Sequence, residues 1–101
     1  MDDADIVELQ ARNVTYYSPG DEEAFFEWLD RIECVEGGSG SGDTLYISVD
    51  RAEVDEECLR ELLALFRRYG VDLKQLRIFD SEEFAAWFRN PDAFWHAEVF
   101  G

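Results

Sequence analysis

At 101 residues, with 47% hydrophobic and 15% aromatic residues, the chain is the size of one domain, 1–101, and holds too much apolar material for a disordered acidic segment. Nine lysines and arginines stand against 24 aspartates and glutamates, a formal net charge of −15, which repels phosphate backbones and anionic headgroups and argues against direct nucleic-acid or membrane binding. No apolar run approaches a membrane span, and the acidic opening "MDDADIVEL" is unlike a secretory leader, so a cytoplasmic protein is expected.

In "IVELQARNVTYYS", residues 6–18, apolar side chains alternate at Val7, Leu9 and Ala11 and resume at Val14 and Tyr16. That period predicts a strand, and its break near Arg12 and Asn13 predicts a bulge or two short strands. Ser18-Pro19-Gly20-Asp21 then has the order of an N-cap, a first-turn proline and an early acid, which starts a helix. Phe25, Trp28, Leu29 and Ile32 share one face of it, while Glu22, Glu23, Glu27 and Asp30 point elsewhere.

"IECVE" (32–36) and "TLYISVD" (44–50) read as two antiparallel strands, the second alternating cleanly. The "GGSGSGD" between them has the composition of a flexible linker closing the hairpin, and the reading makes residues 37–42 functionally silent. A phosphate-binding role would need the loop to feed a helix N-terminus, and it feeds a strand. Asp55 to Tyr69 is the best-signed helix: Leu59, Leu62, Leu63 and Phe66 form its stripe, acids open it, Arg67 and Arg68 close it, and Gly70 caps it. "VDLKQLRIFD" fits either a helical turn led by Asp72 or a short strand. Arg60, Arg67, Arg68, Lys74 and Arg77 concentrate positive charge there, as neutralisers of neighbouring acids.

Two short helices should finish the chain, one capped by Ser81 and one by Asn90 with Pro91 in its first turn. Trp87, Phe88, Phe94, Trp95 and Phe100 are then expected to lock this tail onto the sheet, leaving a ring or two at the surface. "LLALFRRYGVDLKQL" and "AWFRNPDAFWHAEVFG" resemble the C-terminal half of a group of small bacterial proteins that share an L-FxRYG-D-xxL segment and a WF-x-x-P-x-x-(Y/F)WH-x-x-VFG ending. The likeness covers roughly residues 59–101 and implies a stand-alone bacterial domain. That group carries no activity to transfer to any position here.

Cys34 and Cys58 lack CxxC or partner-histidine spacing, so reduced, partly buried thiols are expected rather than a disulfide framework or zinc site. No local motif sets a nucleophile beside His96, the single histidine, which leaves a Cys/His enzyme as an outlier. Asp80, Glu82 and Glu83 lack the spaced loop of a cation site. No catalytic, metal or cofactor-binding residue is therefore assigned, and a non-enzymatic protein is expected.

The fold class is α+β: a small antiparallel or mixed sheet in the order β-α-β-β-α, then short C-terminal helices, with the two long helices on one face. On that arrangement Glu22, Glu23, Glu27 and Asp30 of the first long helix join Glu53, Asp55, Glu56 and Glu57 at the start of the second in a negative partner-binding field. The partner expected is a basic protein, as for an immunity or inhibitor protein. A DNA mimic is the alternative, and it wants acids in regular rows. Acid-rich, lysine-poor composition also fits a very salty or GC-rich source, so charge by itself names no partner.

Overall fold

The computed structural model describes residues 6–101, and the acidic opening at 1–5, where a leader would begin, lies outside them. Strand β1 (Ile6–Arg12), β2 (Val35–Ser41) and β3 (Thr44–Asp50) form one antiparallel sheet in the order β1-β3-β2. The β-α-β-β-α order and the α+β class are as expected, with helix α1 spanning Pro19–Arg31 and α2 Glu56–Tyr69. β3 takes the centre because it alone is paired on both sides, Leu9 opposite Ile47 on β1 and Gly38 opposite Ile47 on β2.

Alternation decides which face the helices cover. Leu9, Ala11, Ile47 and Val49 are buried, whereas Glu8, Arg12 and Ser39 on the other face are exposed, the pattern of a sheet solvated on one side. Phe25, Leu29 and Ile32 from the first-helix stripe and Leu59, Leu62, Leu63 and Phe66 from the second enter the same core cluster. The caps of the two long helices also follow the sequence: Ser18 accepts from the Asp21 N–H at 3.1 Å, and Gly70 closes α2 at φ 72°, the left-handed region that glycine enters without steric cost. Ser81, expected as a cap, caps none, since the helix after it begins at Ala85 with no side-chain cap.

Three expectations are corrected, and one open alternative is settled. β1 ends at Arg12 and no second strand follows; Asn13 turns left-handed at φ 53° and donates to Asp43 O at 2.9 Å, a conformation asparagine tolerates. The glycine-serine segment is not a linker loop, since residues 37–41 pair with β3 up to Ser41–Thr44 and only Gly42 and Asp43 turn the chain. Gly42 at φ 62° followed by a residue of negative φ has the φ signs of a type II′ hairpin. The stretch after Gly70 resolves in favour of the helical turn, a 3-10 segment at Leu73–Phe79 capped by Asp72. The helix expected to begin at Pro91 begins only with α4 at His96–Phe100: Asn90 accepts the Asp92 N–H at 2.9 Å as a cap would, but the residues after it form turns and not a helix.

The tail itself, with short helix α3 at Ala85–Phe88, is held by α2 and the 73–79 turn. Arg60 stacks over Trp87 at 4.2 Å, Arg67 pairs with Glu98 at 2.9 Å, and Arg77 and Lys74 donate to the Val99 and Gly101 carbonyls. The basic cluster therefore clamps the tail and covers the orphan carbonyls at the end of α4, a role favoured for cations at a helix C-terminus. Phe88 and Trp95 are buried, Trp87 and Phe100 half-buried, and Phe94 is 51% exposed.

Candidate functional site

The acids proposed as a partner-binding face are all exposed: Glu22, Glu23, Glu27 and Asp30 on α1, and Glu53, Asp55, Glu56 and Glu57 around the start of α2. The helices pack antiparallel, since Phe25 meets Tyr69 at 4.9 Å between ring centroids while Trp28 Nε1, further along α1, donates to Glu61 near the start of α2 at 2.7 Å. Glu27 and Asp30 thus lie toward the acidic start of α2. Glu22 and Glu23 lie toward its basic end, where Asp21, Arg67, Arg68 and Tyr69 line a shared groove of about 720 Å³. The arrangement opposes helix ends of complementary sign, and it divides the eight acids between two ends.

Among the described residues the only one of these eight in an ion pair is Glu56, with Arg60 at 2.8 Å. Asp55 is occupied differently. Its carboxylate caps α2 by accepting the Cys58 N–H at 2.9 Å, and hydrogen bonds from that N–H first, then from the Cys58 thiol, hold its pKa below the usual value.

A second feature, missed in the sequence, lies at the sheet edges. On β1 the Gln75 side chain accepts from Gln10 N–H and donates to Gln10 O, both at 2.8 Å, covering the middle of that edge as a strand residue would. Among the described residues the β2 edge has no such cover. The phase of its hydrogen bonds follows from the hairpin: across a two-residue turn Ser41 and Thr44 exchange bonds, so Ser39–Tyr46 and Gly37–Ser48 do too. The same phase explains why Gln10 faces outward and Asn13 faces Asp43 on the other side of β3. The N–H and C=O groups of Gly38 and Gly40 therefore point away from the sheet, and among the described residues nothing bonds to them.

Beside this edge, on the helix-covered side, Gly40 leaves space where a side chain would stand. An ideal Cβ there meets nothing within 4 Å. The gap belongs to a groove of about 630 Å³ with Tyr16, Phe26 and Leu45 as apolar walls and Glu22 and Asp43 as its carboxylates. The available signal was the Gly42-Asp43 dipeptide between residues of strand period, a hairpin turn pair that shortens the loop to two residues.

Cys34 and Cys58 are free and buried. Burial pushes the Cys34 thiol pKa strongly up, and its hydrogen bond with Cys58 adds to the effect, which suppresses the thiolate. His96 lies half-buried in the tail with its ring 5.5 Å from Phe100, and no hydrogen bond joins it to a cysteine or serine among the described residues. Asp80 pairs with Arg89 at 2.8 Å, and the described residues contain no group of three potential metal ligands. No helix of the described residues is long and apolar enough to cross a membrane. No protein-family model, curated protein or solved structure matches the chain.

Proposed function

We propose that the protein is a non-enzymatic binding module for a basic protein partner, in the manner of an immunity or inhibitor protein. The observation carrying this reading is the set of exposed acids without ion-pair partners among the described residues, Glu22, Glu23, Glu27, Asp30, Glu53 and Glu57. Such groups face solvent without a cation beside them, so they steer a cationic partner and complement it on docking. Their division between two ends of a helix pair favours this reading over a DNA mimic, whose carboxylates must follow the regular spacing of phosphates. Binding to basic proteins, measured across a salt series, tests it. Changing Glu22, Glu23, Glu27 and Asp30 together to Gln or Asn should slow association by about tenfold or more at low salt and leave dissociation less affected. An on-rate indifferent to both salt and the fourfold change overturns the proposal.

A further inference from the structure

We infer that the β2 edge, with the groove beside Gly40, is a strand-addition site for an extended arginine- or lysine-bearing segment; this rests on the reading of the protein as a binder of basic partners. Main-chain groups supply the first part of the argument. Gly38 and Gly40 present two N–H donors and two C=O acceptors in line on one exposed edge, spaced as a β-strand spaces them, and an unpaired edge of this kind templates another strand. The opposite edge shows the contrast, because Gln75 already occupies the corresponding groups of Gln10. β2 also lacks the usual protections: no proline or lysine interrupts it, and its exposed residues after Glu36 are glycine and serine.

Side-chain chemistry selects the occupant. A strand added beside β2 lies about 4.8 Å away and directs every second side chain toward the helix-covered side of the sheet. There the absence of a Cβ at Gly40 opens the way into the groove. Its walls, Tyr16, Phe26 and Leu45, suit the aliphatic stem of a long side chain, and Glu22 and Asp43 suit a cationic head. Glu33 and Glu36, both exposed, flank the start of the edge. A second copy of this chain brings another net charge of −15 to the same place, so self-pairing is opposed by the charge that attracts a basic segment.

A fluorescein-labelled peptide alternating threonine and arginine is the probe, titrated against the full chain by anisotropy and followed by amide NMR. The expected result is saturable binding with the largest shifts at Gly38 and Gly40. N-methylation of alternate peptide residues, which removes donors from one edge and keeps every charge, should weaken binding by about tenfold. Glu22→Gln, an exposed position, should weaken it about threefold with the thermal melt unchanged. Equal, salt-sensitive binding of the methylated and unmethylated peptides overturns strand addition while leaving the basic-partner reading intact. Equal affinity for a threonine-glutamate peptide overturns the cationic occupant. No binding at about 1 mM, shifts confined to the helices, or a dimer in sedimentation that the peptide does not dissociate would each overturn the inference as well.

Discussion

Trp95 shows how much one side chain in the tail is asked to do. It is buried, its Nε1 donates to Phe88 O at 2.8 Å, and its ring meets Trp87 and Phe94 edge-on at 5.8 and 4.9 Å. Truncation removes the packing and leaves the Phe88 carbonyl without that donor, so Trp95→Ala should destabilise by about 3–5 kcal/mol in chemical denaturation. His96, next in sequence, makes a tilted contact with one ring and no side-chain hydrogen bond among the described residues, and His96→Ala should stay within about 0.5 kcal/mol of the parent. A parent-like melt for the Trp95 variant would place that ring outside the core. Helical spacing made the burial of Phe88 legible in the sequence; the partners of the tail were not, because Arg60 and Arg67 reach it from α2, and nothing in a linear pattern of arginines says whether they face acids or rings.

Elements signed by local chemistry were legible, and elements signed only by pairing were not. Ser18 and Asp55 cap their helices through their own side chains, and Gly70 stops α2 by its own backbone. β2 has no such local signature. Glycine and serine have poor strand propensity, and residues 37–41 become a strand because β3 offers them a ladder of hydrogen bonds. The sequence reading of residues 37–42 as a silent closure leads to the expectation that an Asn-Gly turn can replace them freely, and the structure reverses it. Excision removes the residues opposite Leu45, Tyr46, Ile47 and Ser48 and leaves β3 as a partly exposed edge. Such a variant should unfold at lower denaturant and show faster amide exchange along β3. A variant as stable as the parent, with β3 still protected, would mean that β2 contributes little to the sheet and that a strand-addition site there lacks a firm foundation.

For the whole molecule, a net charge of −15 on one small fold sets exposed acids against one another, and the three ion pairs among the described residues are all at the surface, where each contributes little. Screening should therefore stabilise the protein: the Tm is expected to rise by several degrees as salt increases from about 20 mM to about 500 mM, over which the Debye length contracts severalfold. Acid acts through Asp55, because the Cys58 N–H and thiol hold its folded pKa below the ordinary carboxylate value. Its contribution is fully present above the unfolded pKa of about 3.9 and is lost as pH falls through the lower folded value. Stability should thus decline below about pH 4, and Asp55→Asn, which keeps a capping oxygen without the titrating charge, should flatten that decline. A Tm independent of salt would show that the acids are spaced too widely to repel, and would remove the long-range field on which recognition of a basic partner depends.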